Sequence, residues 1–93
     1  MKTEKPTILI SLISEILSET DKHKIGSLYL KIYEEVLKTE FLHDNNLPFY
    51  GLVYKHFIRL GVKNFIDSGQ SNDSKVILRD VLNVLDSCLI VVR

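Results

Sequence analysis

The side chains that most often carry chemistry are few in this sequence and stand far apart. Three histidines, His23, His43 and His56, are separated by long stretches of chain, and Cys88 is the single cysteine. Metal sites usually take ligands from short motifs, such as two histidines one helical turn apart, and no such pair occurs among these residues. The sequence therefore predicts neither a metal centre nor a cofactor.

A catalytic nucleophile is not indicated either. Cys88 follows Val81 and Leu85 on an apolar helical face, where a cysteine behaves as a small hydrophobic residue. A reactive thiol needs electropositive, partly exposed surroundings. The glycines are scattered rather than gathered in a phosphate-binding loop, and no serine lies in a nucleophile elbow. We therefore expect a protein that is not an enzyme.

One charged feature suggests binding. Lys55, Arg59 and Lys63 recur every four residues on a predicted helix and form a basic stripe, with His56 beside it. A solvated face opposite the core explains the same pattern. Three cations are few for nucleic acid, because affinity grows with the number of neutralised phosphates, and the 12 basic and 12 acidic residues cancel. We expect a protein partner and keep nucleic acid as a third hypothesis, which a mobility shift at physiological salt tests.

Length and composition favour one small domain, residues 1–93, because the chain has 93 residues and 45% of them are hydrophobic. The apolar run at residues 8–13 loosely resembles the core of a signal peptide. Ser14 and Glu15 interrupt it and no small-residue cleavage site follows, so we interpret it as part of a helix. No run reaches the roughly 18 apolar residues of a membrane-spanning helix. These features predict a cytoplasmic protein.

Apolar residues at helical spacing predict four helices, at about residues 7–19, 23–42, 47–68 and 73–90. Short linkers between helices favour antiparallel neighbours, so the predicted fold is all-α, an antiparallel up-down-up-down four-helix bundle. Asp21 is a candidate N-cap of the second helix. An alternative for the chain end is that Val91 and Val92 leave the last helix as an extended tail.

Each helix also has a predicted buried face. In the second helix this face comprises Ile25, Leu28, Tyr29, Ile32, Val36 and Leu37. In the third, the core candidates are Leu52, Val53, Phe57, Leu60 and Phe65, with Tyr50, Tyr54 and Ile66 at the margins. In the fourth, the inward residues are Val76, Ile77, Val81, Leu85, Cys88 and Leu89. Gly51 and Gly61 lie within the third helix, where glycine costs about 1 kcal/mol relative to alanine. We attribute both to the close approach of a neighbouring helix rather than to a hinge.

The second half of the chain carries a family resemblance. A loop leads into Leu47-Pro48-Phe49 and a long helix, a polar break follows at residues 68–73, and Leu78, Val81, Leu82 and Leu85 mark the closing helix. With the texture of residues 28–33, this pattern resembles the bacteriocin immunity proteins, the partners of pediocin-like bacteriocins. Members often carry an arginine soon after the proline, where this chain has Gly51-Leu52-Val53.

The resemblance implies a non-enzymatic, cytosolic protein that protects its cell. Such proteins are thought to recognise the bacteriocin-engaged receptor, a mannose-type phosphotransferase permease, which allows peripheral contact with the membrane. The C-terminal half tends to set which bacteriocin is countered. An apolar chain end suits contact with a membrane-embedded receptor, although burial under the bundle explains it equally well. The candidate partner-binding residues are Tyr54, Lys55, Arg59, Lys63, Ile90, Val91, Val92 and Arg93.

A second hypothesis is a small helical regulatory or adaptor protein that binds a cytosolic protein partner. Its basis is the neutral charge and two tyrosine pairs four residues apart, Tyr29 with Tyr33 and Tyr50 with Tyr54, since tyrosine is enriched at interfaces. Packing at the edge of the core explains the same pairs. For self-association, the sequence favours a monomer or a weak homodimer.

Overall fold

The structure, a computed structural model, describes residues 2–42, 51–60 and 72–92. The chain is mostly helical and carries a small two-stranded sheet. In chain order its elements are β1 (Lys2–Glu4), α1 (Thr7–Ser18), α2 (Lys22–Lys38), α3 (the helix at residues 51–60), α4 (Asn72–Leu85) and β2 (Ile90–Val92). Helix α1 packs against both α2 and α4. The predicted loop at residues 43–46 lies outside the described residues.

The first two helices form where the apolar spacing predicts them. In α1, Leu9, Ile13 and Ile16 are buried, since positions three and four apart share one helical face. Helix α2 begins after Asp21, whose carboxylate accepts a hydrogen bond from the backbone N–H of His23 at 2.9 Å. This bond satisfies an N–H that has no partner inside the helix. The predicted N-cap is thus confirmed.

Helix α2 ends at Lys38, although the sequence predicts a helix to residue 42. Thr39 is extended, with φ −74° and ψ 130°, and its hydroxyl donates a 2.6 Å hydrogen bond to the carbonyl of Glu35. Residues 40–42 then pair with β2: the N–H of Leu42 bonds to the carbonyl of Leu89, and that of Val91 bonds to the carbonyl of Glu40. Pairing with a distant strand replaces the last helical turn.

The chain end is a strand rather than the end of a helix. Helix α4 stops at Leu85, short of the predicted residue 90, and a turn follows in which the N–H of Cys88 bonds to the carbonyl of Leu85. Strand β2 pairs antiparallel with β1, Thr3 facing Val91, and Ile90 also bridges to Phe41. The β-branched side chains of β2 favour this conformation. The prediction of an all-α fold was therefore wrong for residues 90–92.

One core joins all four helices to the segments around β2. Its buried hydrophobic residues are Leu9, Ile13, Ile16, Ile25, Leu28, Tyr29, Ile32, Val36, Phe41, Tyr54, Ile58, Leu78, Val81, Leu85 and Cys88. The predicted inward face of α2 is confirmed except at Leu37, which is exposed. The face predicted for α4 is confirmed only in part: Val81, Leu85 and Cys88 are buried and Ile77 is half-buried, but Val76 and Leu89 are exposed, and the buried Leu78 was not predicted.

The predicted phase of the third helix was wrong. Leu52, Phe57 and Leu60 are exposed, and Val53 is half-buried, whereas the buried face consists of Gly51, Tyr54 and Ile58. Phe65 and Ile66 lie outside the described residues. Helix α3 carries apolar residues around most of its circumference, so two different faces satisfy the helical period. The close contact between Gly51 and Phe41 distinguishes them.

Candidate partner-binding surface

Tyr54 and the residues of the predicted basic stripe have different surroundings. The ring of Tyr54 lies in the core, with 7% of its surface exposed. The Nζ of Lys55 stands 5.8 Å from the centre of the Phe41 ring, a distance at which a cation is attracted to the ring face. Arg59 is exposed. Lys63 and Arg93 lie outside the described residues.

The predicted C-terminal residues Ile90, Val91 and Val92 are half-buried in β2. Hydrogen bonds hold this strand on both sides, with β1 on one edge and residues 40–42 on the other. The backbone of β2 is therefore engaged within the fold, and only its side chains are available for contacts with a partner.

Phe41 connects the two groups of predicted site residues. It bridges to Ile90 on one side, and its ring lies beneath Lys55 on the other. A β-carbon built on Gly51 would lie 2.9 Å from the Phe41 Cβ and 3.1 Å from its Cγ. The predicted close approach at Gly51 is thus confirmed, although the neighbour is Phe41, after the end of α2, rather than another helix. Gly61 lies outside the described residues.

We expect Gly51→Ala to lower stability, although alanine favours a helix over glycine by about 1 kcal/mol. The added methyl would meet the Cβ and Cγ of Phe41, atoms close to the backbone that cannot turn away, and overpacking typically costs about 1–3 kcal/mol. Urea unfolding followed by circular dichroism measures the difference. The matched control, Gly26→Ala within α2, is expected to be neutral or stabilising. A Gly51→Ala protein as stable as the parent would contradict this packing.

A cleft beside this contact has a volume of about 280 Å³. Its lining residues, which we call the Phe41 cleft, are Leu37, Lys38, Thr39, Glu40, Phe41, Gly51, Leu52 and Lys55. The lining combines exposed leucines with charges of both signs. This mixed lining is poorly suited to burying the apolar side chains of a partner. A second surface, on the opposite flank of α3, suits them better.

That second surface lies between α3 and α4 and is almost entirely apolar. The groove has a volume of about 290 Å³, and its lining residues, the α3–α4 groove, are Val53, Tyr54, Phe57, Ile77, Asp80, Val81 and Val84. Tyr54 and Val81 are buried, while Val53, Ile77 and Val84 are half-buried. Helix α3 thus presents Lys55 toward the Phe41 cleft and its apolar flank toward this groove. A concave, apolar surface with few polar groups is typical of a binding site.

The sequence analysis did not predict the groove because the residues of the groove's α3 wall were expected to lie in the core. Val53 and Phe57 were predicted to be buried, and Ile77 was predicted to face inward. The available signal was an excess of apolar positions on α3, more than one buried face can use. Such an excess indicates a second, partly exposed apolar flank.

A further apolar stripe lies on the outer face of α2. Leu30, Tyr33 and Leu37 are all exposed, three and four residues apart, so they share one side of the helix. The predicted tyrosine pair is thus divided, because Tyr29 is buried in the core while Tyr33 is exposed. Tyr50, the partner predicted for Tyr54, lies outside the described residues.

The groups that could carry chemistry remain separate in the part of the chain that the structure describes. His23 and His56 are exposed on different helices, and His43 lies outside the described residues. No cluster of three or more histidine, cysteine or acidic residues suited to a metal occurs within residues 2–42, 51–60 and 72–92. Cys88 is buried, and its thiol donates a 3.4 Å hydrogen bond to the carbonyl of Val84.

Burial raises the pKa of the Cys88 thiol above its ordinary value of 9.0. Since the folded-state pKa lies above the unfolded one, the neutral thiol stabilises the fold below pH 9.0, and this contribution declines as pH rises through the folded-state pKa. We expect the stability difference between the parent and Cys88→Ala to shrink between pH 8 and pH 10. Urea unfolding of both proteins measures it, and the other titrating groups cancel in the comparison. Parallel stability curves would contradict the prediction.

The chain matches no family model, and neither a curated protein nor a solved structure shows significant similarity to it. Among the residues that the structure describes, none of the helices has both the length and the apolar character needed to cross a membrane.

Proposed function

We propose that this chain is a bacteriocin immunity protein. It is a non-enzymatic, cytosolic protein that protects its cell from a pediocin-like bacteriocin by binding the bacteriocin-engaged membrane receptor, a mannose-type phosphotransferase permease. The observation that carries the proposal is the α3–α4 groove, an apolar surface formed by the two C-terminal helices. This is the half of the chain in which the family resemblance expects specificity for the partner.

The proposal includes an antiparallel up-down-up-down arrangement of the four helices. Its support is the short connection between α1, which ends at Ser18, and α2, which begins at Lys22, because short links force neighbouring helices to run antiparallel. The packing of α1 against both α2 and α4 is the neighbour relation expected of the first helix in such a bundle.

The test is protection of living cells. Expression of the full chain in a strain sensitive to pediocin-like peptides is expected to raise the peptide concentration that halts growth. Phe57→Gln, which places a polar side chain on the groove wall, is expected to lose this protection. The matched control, Leu30→Gln, changes an exposed apolar residue on α2 and is expected to keep it. Unchanged killing across a panel of such peptides would refute the proposed function.

The second candidate is a regulatory or adaptor protein that binds a cytosolic protein. The exposed stripe of Leu30, Tyr33 and Leu37 on α2 favours it, because this stripe lies on a different helix from the groove. Affinity capture followed by mass spectrometry separates the two functions. An adaptor is expected to recover a soluble protein, and Leu30→Gln should release it. The immunity function is expected to recover a membrane permease in the presence of the bacteriocin.

A further inference from the structure

The shape of the α3–α4 groove suits inserted side chains. Tyr54 and Val81 form its buried floor, while Val53 and Phe57 on α3 stand one helical turn apart along one wall. Its volume of about 290 Å³ lies just below the roughly 300–1,000 Å³ of pockets that enclose a small molecule. The groove is therefore better suited to a few side chains of a larger partner than to a small ligand that must be enclosed.

The spacing of the α4 wall extends this match. Ile77, Val81 and Val84 are four and three residues apart, so they lie in line over two turns of the helix, about 11 Å. This row and the shorter row of Val53 and Phe57 on α3 enclose a furrow. The furrow matches the ridge of another helix, whose side chains at positions i, i+4 and i+7 have the spacing of the α4 row. This is the arrangement by which an amphipathic helix binds in a groove.

The groove carries one charge among its described lining residues, the carboxylate of Asp80, and that side chain is exposed. The residues one turn away on α4 are Val76, Ile77, Asn83 and Val84, so no lysine or arginine of α4 lies one turn from this carboxylate, and Arg79, next to it in sequence, is on a different side of the helix. A partner that covers the groove would reduce the hydration of Asp80, and a cation on that partner would offset this cost.

The same charge argues against a second copy of this chain as the occupant. A symmetric dimer uses the same patch on both subunits, so pairing through the groove would enclose two Asp80 carboxylates. The described lining of the groove supplies no cation to neutralise them, and enclosing unpaired charges is strongly unfavourable.

We infer that the α3–α4 groove binds an amphipathic helix of a partner protein, which inserts apolar side chains above Tyr54 and Val81 and brings a lysine or arginine to Asp80. The inference rests on the proposed function only in treating the groove as the partner-binding surface. It specifies the chemistry of the partner, which binding in solution tests without any bacteriocin.

The experiment uses the isotope-labelled full chain and two synthetic peptides followed by NMR. One peptide is an amphipathic helix with leucines on one face and lysines flanking them, and the other has glutamate in place of every lysine. The lysine peptide is expected to shift the signals of Phe57, Ile77 and Val84 and to bind up to about fivefold more tightly than the glutamate peptide, the upper end of the range for an exposed ion pair.

Charge variants of the chain complete the test. Asp80→Asn is expected to remove the preference for the lysine peptide, and Asp80→Lys to reverse it. Asp86→Asn, which neutralises an exposed aspartate outside the groove, is expected to leave the preference intact. Equal binding of the two peptides by the parent chain would overturn the inference even if a variant failed to fold.

Three other results would also overturn the inference. They are the absence of binding by either peptide, peptide-induced shifts confined to the α2 stripe, and groove signals that change on dilution of the chain alone, which would identify a second copy as the occupant. A parent chain that binds the lysine peptide but gives cells no protection would refute the proposed function and leave this inference standing.

Discussion

Phe41→Ala is expected to destabilise the fold by about 3–5 kcal/mol, the usual loss when a buried phenylalanine is truncated. The side chain is 6% exposed and touches the α3 backbone at Gly51, and its backbone bridges to Ile90. No flexible side chain occupies the Gly51 position to refill the space, so we expect a value near the upper end of this range. Urea unfolding followed by circular dichroism measures it.

Phe57→Ala is the matched control because it removes the same side chain from a position that is 41% exposed. We expect its effect to stay within about 1 kcal/mol, as for most surface substitutions. Similar losses for the two variants would show that Phe41 has no special position in the core.

The Phe41 variant should also have a local effect. The N–H of Val91 bonds to the carbonyl of Glu40 at 2.8 Å, so its hydrogen exchange reports whether residues 40–42 remain beside β2. We expect this N–H to lose more protection than the helical N–H groups of α2, because local opening precedes global unfolding. Uniform loss across the chain would mean that Phe41 contributes to the core without anchoring β2.

The sequence predicts helix α2 well because one apolar row follows the helical period along most of the helix. Ile25, Leu28, Ile32 and Val36 form this row, and Asp21 marks the start. Local signals of this kind depend only on neighbours within a few turns, so they survive without knowledge of the tertiary structure.

Local patterns do not predict the buried face of α3 or the strand at residues 90–92, because contacts with residues distant in sequence determine both. The buried face of α3 depends on Phe41 fitting against Gly51, a contact between segments that no local periodicity reveals. The sheet depends on pairing between residues 2–4 and 90–92, and the polar β1 sequence Lys2-Thr3-Glu4 has no strand signal of its own. In both places tertiary pairing overrides the local pattern.

The observed phase of α3 changes which of its residues form the candidate site. This phase moves Tyr54 from the predicted margin of the core into its interior and moves Phe57 from the predicted core to the wall of the α3–α4 groove. Lys55 remains on the flank that the basic stripe predicted, now above the Phe41 ring. The predicted binding region therefore stays on α3, but its most apolar surface lies on the other side of the helix.

Ile32→Ala is expected to lower the free energy of unfolding by about 2–5 kcal/mol, the range for truncating a buried isoleucine. Ile32 is 0% exposed and lies in the middle of the core face of α2. A domain of 93 residues has a total stability of roughly 5–14 kcal/mol. The variant is thus expected to lose a large fraction of the stability and to unfold at a much lower urea concentration.

Leu30→Ala tests the opposite face of the same helix. Leu30 is 58% exposed, and alanine has a slightly higher helix propensity, so we expect a change within about 0.5 kcal/mol. The contrast with Ile32→Ala separates the face that holds the fold from the stripe of Leu30, Tyr33 and Leu37, which contributes little to it. A stability loss at Leu30 as large as that at Ile32 would mean that the stripe is covered within the fold, and it would remove the support that this stripe gives to an adaptor function.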